Sequence, residues 1–294
     1  MRKHVLVGLG AIFATALVIA VTGQVFAQAP PFETRKITDR VYLYRFGFHQ
    51  AIFVVTPDGV IATDPIGLFS AQAVPTYLAE IRKVTQAPIK YVVYSHHHYD
   101  HIAGGKPFKD LGATFIAHRN AKAHLEKLKY PNVVIPDVTV DNLHVIELGG
   151  VRMELHYVGR NHSDNMLVML IPQDKLIFVV DFVPIGGVLF RNLPDGFIPD
   201  WFDSLDRVLA MDWDRMIPGH PDAGGRLGTK DDVRAVKEYM TDLSDAVRQA
   251  AAQGKCWDRA MQEVKLPKYE KWANYSQFLP GNVERFCSYW GRGF

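Results

Sequence analysis

The chain has 294 residues, of which 48% are apolar and 22% charged, so a sizeable core can form and disorder is excluded for the bulk of it. Its formal net charge is +2, and two of the basic residues, Arg2 and Lys3, stand in an N-terminal segment that has no acidic residue before Glu33. The rest is close to neutral and offers no basic stripe for phosphates, which argues against a nucleic-acid partner.

Arg2 and Lys3 precede an unbroken apolar or small run from Val5 to Val21, followed by Gln24-Val25-Phe26-Ala27-Gln28-Ala29. A basic stretch, an apolar stretch and a small-residue cleavage site have the form of a secretory signal. We expect a signal peptide over 1–27, a flexible lead-in over 28–36, and one domain over 37–294 ending in a helical extension. An uncleaved membrane anchor is the rival reading, because the run is slightly long for a signal core and short for a span. Cleavage implies an exported chain, periplasmic or secreted, with no stable membrane span.

Beyond the lead-in, 41–44 and 51–55 read as strands, and a Pro57-Asp58-Gly59 turn leads to 60–62, which predicts an antiparallel meander. Residues 70–84 are helical in pattern, and 89–94 form a strand running into a histidine-rich loop. A strand at 114–117 and a helix at 119–128 follow. Strand patterns recur near 138–147, 151–158, 166–171 and 175–180, then a helix at 202–211, a strand at 215–217, and one long helix over 229–253. Shorter helical pieces fill the tail. Two strand-rich halves, each with helices, predict an α/β protein with two sheets face to face and helices outside. Cys256 and Cys287 are either a disulfide, which export permits, or two free thiols; their spacing does not decide.

The sharpest feature is Ser95-His96-His97-His98-Tyr99-Asp100-His101 at the end of a strand. In extended backbone residues two apart point the same way, so His96 and His98 can grip one metal. If the chain then turns, Asp100 and His101 reach a second point nearby, while His97 and Tyr99 point elsewhere. Imidazole nitrogen and carboxylate oxygen suit zinc, and iron and manganese accept the same ligands. A histidine-rich surface loop is the bland alternative, and four ligand-type residues in six positions at a strand end outweigh it. His162, Asp181 and His220 each follow a further apolar strand and supply the remaining donors for two ions.

The His96-x-His98-x-Asp100-His101 motif, with His162, Asp181 and His220 in that order, resembles the metallo-β-lactamase superfamily over roughly residues 36–225. The resemblance implies a four-layer αββα sandwich with metals at one edge between the sheets. It also implies His96, His98 and His162 on the first metal, Asp100, His101 and His220 on the second, and Asp181 bridging both. The function implied is hydrolysis by water activated between two zinc ions, with Asp100 orienting the nucleophile and passing on its proton. The chain departs from the antibiotic-hydrolysing enzymes: Asp181 stands where one subclass has cysteine, and Pro184 where that subclass keeps a substrate-binding lysine. An exported ester, thioester or lactone hydrolase acting on a small molecule is therefore expected, with weak or promiscuous β-lactam turnover at most. The rivals are a mononuclear-iron oxidoreductase resembling the persulfide dioxygenases, and a binder without catalysis. Tyr99 is the candidate for contact with substrate. Phe190, Phe197, Trp201 and the tail aromatics read as core. His49, His118, His124, His144 and His156 read as structural or exposed, and Asp64 as either an acid behind the ligands or a turn cap.

Overall fold

The computed structural model describes residues 32–221 and 224–293; the expected signal over 1–27 lies outside the described residues. Period-two alternation builds the first half. Strands β1 (Phe32–Lys36), β2 (Val41–Phe46), β3 (His49–Thr56) and β4 (Gly59–Thr63) form an antiparallel meander. Strands β5 (Ile89–Val93), β6 (Thr114–His118) and β7 (Val138–Val140) extend it in parallel to a seven-stranded sheet. Helices α1 (Ala73–Val84), α2 (Tyr99–Ile102), α3 (Lys106–Asp110) and α4 (Arg119–Leu128) lie in the crossovers.

Strand β3 shows why this sheet lies in the middle of a stack. Ala51 and Phe53 pack with Tyr77 and Ile81 of α1, Phe108 of α3 and Leu125 of α4. Ile52 and Val54, on the opposite face, share a second core with Met153, Leu155 and Val168. Those partners belong to a five-stranded sheet, β12-β11-β10-β9-β8. Its strands are β8 (Leu143–Leu148), β9 (Val151–Tyr157), β10 (Leu167–Ile171), β11 (Leu176–Val179) and β12 (Arg215–Pro218), antiparallel except for the β11–β12 pair. Helices α5 (Ile198–Ala210), α6 (Lys230–Ala252) and α8 (Tyr275–Arg292) contribute Trp201, Leu205, Tyr239 and Phe286 to the same core, with the short α7 (Ala260–Glu263) beside them. The layers are therefore helix, sheet, sheet, helix. Among the described residues no helix is long and apolar enough to cross a membrane.

Four points differ from the sequence reading or resolve it. Residues 32–36, expected in the flexible lead-in, form β1: they pair with β2 from Phe32↔Phe46 to Lys36↔Tyr42, and Phe32 packs on the helix-side core. The exposed Glu33 and Lys36 of this edge strand give it a polar look that hides the alternation. Helix α5 begins at Ile198 rather than 202, because Pro199 fits a first turn whose N–H groups have no helical partner. Cys256 and Cys287 are joined, with Cα atoms 5.3 Å apart, and tie the segment before α7 to α8. The aromatics divide: Trp201, Tyr269, Tyr275 and Phe286 are buried, whereas Phe190, Trp257 and Trp290 are exposed.

Strand direction positions the site. β4 and β5 run parallel and β3 runs opposite to β4, so β3 starts where the other two finish. In the second sheet β9, β11 and β12 run the same way. Gln50 N donates to Gly219 O at 2.7 Å, and Leu167 N donates to Ser95 O at 2.7 Å, so these strand ends meet.

Candidate metal centre

The chain bends over residues 95–97 after β5, and His98, whose backbone is extended, caps α2, so the turn that carries Asp100 and His101 starts at once. The loop after β9 brings His162, and the one after β11 brings Asp181. Asp181 sits at φ +64°, a left-handed conformation that Asp tolerates better than most residues. His220 follows β12 through Gly219, where an added Cβ would lie 2.5 Å from Val180 Cγ1 and 3.0 Å from Asp181 Oδ1.

Among the described residues three groups of donor atoms have all members within 4.8 Å of one another: His96, His98, His162 and Asp181 form the first, His49, Asp100, His101 and His220 the second, and His97, His98 and Asp195 a smaller third that shares His98 with the first. In the first, His98 Nδ1 lies 3.2 Å from His162 Nε2, and Asp181 Oδ2 lies 3.4 Å from both His96 Nε2 and His162 Nε2. In the second, His101 Nε2 is 3.3 Å from His220 Nε2 and 3.4 Å from Asp100 Oδ2. Asp181 faces the first two groups, with Oδ2 3.1 Å from His101 Nε2 and Oδ1 3.1 Å from His220 Nε2. Ligands roughly 2.1 Å from a tetrahedral zinc stand about 3.4 Å apart, which is the spacing these donors have. His96 Nε2 gives an independent test. It is buried without a hydrogen-bond partner, a state that costs free energy unless something binds it, and a cation among these donors would do so. The residues present thus fit a metal.

Neighbouring groups set which nitrogen faces inward. His220 Nδ1 donates to Phe48 O at 2.5 Å, which leaves Nε2 for the centre. Ser95 Oγ lies 3.0 Å from His96 Nδ1. His98 Nε2 lies 2.8 Å from Asp195 Oδ2, so Nδ1 is its inward atom. Asp64, buried and accepting from Ser95 N at 2.8 Å, lies 4.0 Å from His101 Nδ1, so it is an acid behind the site.

Burial raises the Asp181 carboxyl, but His101 and His220 outweigh it and hold it well below the ordinary value. Burial lowers His101, yet Asp181 and Asp100 prevail and push it up to about 10. Burial and then His98 drive His96 well down, so it is a neutral imidazole with a free lone pair. Asp64 goes the other way, pushed up to about 6 by burial. Without metal, the proton on His101 therefore plays the part a cation would take over.

The sequence reading missed two residues. His49, read as structural or exposed, stands in the second group, because β3 starts at the edge where β4 and β5 end. Asp195, on the loop before α5, was not singled out. Tyr99 stacks on Tyr130 with ring centres 4.0 Å apart, whereas His97 belongs to the third donor group with His98 and Asp195, its Nδ1 meeting Asn165 Nδ2 at 2.8 Å and its ring stacking on His124. His124 in turn meets Asp164 at 2.9 Å.

Residues 44–220 match the profile of the metallo-beta-lactamase superfamily. The 2,4-dinitroanisole O-demethylase subunit alpha of Nocardioides sp. (strain JS1661) is 24% identical over 215 residues, covering 69% of this chain and 62% of that relative, so the chain spans about six-tenths of its length. The metallo-beta-lactamase type 2 of Elizabethkingia meningoseptica is 22% identical over 248 residues, covering 78% of this chain and 95% of that one. In three dimensions, a metallo-beta-lactamase from Pontibacter korlensis superposes with a TM-score of 0.62 at 19% identity, over 71% of this chain and 99% of that one. Its likeness is one of fold, and the profile match over more than half of the sequence makes the kinship plain: the chain belongs to the metallo-beta-lactamase superfamily.

Proposed function

We propose that this chain is a dinuclear zinc hydrolase that acts on a small ester, thioester or lactone. The observation that carries the reading is the pair of donor groups with one carboxylate, Asp181, turned toward both. Bound there, zinc ions would lower the pKa of water toward neutrality and polarise the substrate oxygen. His96, His98 and His162 would hold the first ion, Asp100, His101 and His220 the second, and Asp181 would sit between them. Asp100 also has the catalytic part. Burial raises its carboxyl, but His101 and His49 outweigh that and keep it ionised, so it can accept a hydrogen bond from the nucleophile's O–H and orient it. The disulfide supports export, because such bonds persist in oxidising compartments.

A second reading is cleavage of an aryl ether. Phe69 is 74% exposed and lies with its ring centre 5.3 Å from that of His49. An exposed aromatic beside the centre favours a flat apolar substrate, and one relative is named as a 2,4-dinitroanisole O-demethylase subunit.

Metal analysis of the purified protein, coupled to a panel of esters, thioesters, lactones, β-lactams and aryl methyl ethers, tests both readings. We expect two zinc per chain, with turnover lost and bound zinc reduced in His96→Ala and Asp181→Ala. Full activity in the metal-stripped protein or in either variant would sink the proposal. One iron per chain with oxygen uptake would mean an oxidoreductase.

A further inference from the structure

We propose that His49 is a further protein donor at the second cation position, beside Asp100, His101, His220 and the shared Asp181; this rests on the dinuclear reading above. Its Nε2 lies 3.2 Å from Asp100 Oδ2, and the donor atoms of His49, Asp100, His101 and His220 fall within 4.8 Å of one another. The His49 ring meets those of His220 and His101 edge-on, with centres 4.7 and 5.4 Å away and planes at 67° and 70°. Rings around a shared point, each aiming a nitrogen at it, take that arrangement.

The backbone holds His49 there. Just before it, Phe48 O accepts from His220 Nδ1 at 2.5 Å. Just after it, Gln50 donates from N to Gly219 O at 2.7 Å and from Nε2 to Pro218 O at 2.8 Å. The contacts that hold the segment of His220 therefore hold the segment of His49 too. Counting the shared Asp181, the second position then has five protein donors against four at the first, so its ion is held more tightly, and the more labile ion is the one at His96, His98 and His162.

A hydrogen bond from His49 to Asp100 alone would make it only an orienting partner, which costs about 10–100-fold in metal affinity when lost. The test is zinc and cobalt titration against a competing chelator for the wild type, His49→Ala and His49→Asn, since asparagine keeps a donor for Asp100 but is a poor ligand. We expect two ions in the wild type and, in both variants, more than a hundredfold weakening of the tighter one. A smaller loss in either variant overturns the proposal and leaves the dinuclear reading intact. Wild type that binds fewer than two ions overturns both. If the variants misfold, cobalt-substituted wild type decides by NMR: a hyperfine-shifted His49 ring supports the proposal, and an unshifted ring with two cobalt ions bound refutes it.

Discussion

His98 uses its two ring nitrogens in opposite directions, Nδ1 toward His162 and Nε2 toward Asp195. A carboxylate that accepts the outer N–H of a ligating imidazole fixes its tautomer and orientation and makes the inner nitrogen more basic. Asp195→Asn keeps the shape and removes the charge, so we expect bound zinc to weaken by about 10–100-fold with the fold unchanged by circular dichroism. Zinc affinity equal to wild type would show that Asp195 is incidental. Asp195 was not legible in the sequence, because Pro194-Asp195-Gly196 reads as an ordinary turn and only the closure of the loop before α5 brings it to His98. His49 escaped for a related reason. The seven donors that were singled out each come after an apolar strand, whereas His49 opens one, and an antiparallel hairpin carries that start to the edge where its neighbour ends.

Elements with a strong period were legible, and those without one were not. β3, β9 and the amphipathic α6 stand close to where alternation and helical spacing put them. β1 was not, since its side chains are half-polar and its order comes from backbone pairing with β2. Spacing could not settle the disulfide either, because the turns between α6 and α8 determine how near the two cysteines come. That bond spans 31 residues and ties α8 to the segment after α6. On the chain-entropy account a loop of that size is worth about 3–4 kcal/mol through the unfolded state. We expect a Cys256→Ser and Cys287→Ser double variant to lose about that much in urea unfolding while still binding zinc, since neither cysteine belongs to a donor group. A midpoint equal to that of the oxidised wild type would contradict it.

At the scale of the molecule the centre is a joint between two sheets. His49, His96, His98, Asp100 and His101 belong to the first half of the chain, and His162, Asp181 and His220 to the second. A cation held by both halves exists only in the folded state, so it stabilises by mass action, by about 4 kcal/mol at a thousandfold excess over its dissociation constant. For a domain of this size that is a rise of roughly 10 °C in Tm. The pH dependence follows from His101, which is pushed up to about 10 without metal by the carboxylates around it. Because its pKa is raised on folding, it stabilises the metal-free protein fully below the unfolded value near 6.5, and that contribution fades as pH climbs toward 10. Zinc bound as proposed would have to displace the same proton, so its affinity would grow over the same window. Calorimetry of stripped and zinc-loaded protein should therefore show a gap in Tm that is wider at pH 8.5 than at pH 6.5. A gap that narrows with rising pH would mean that His101 does not give up a proton to the metal.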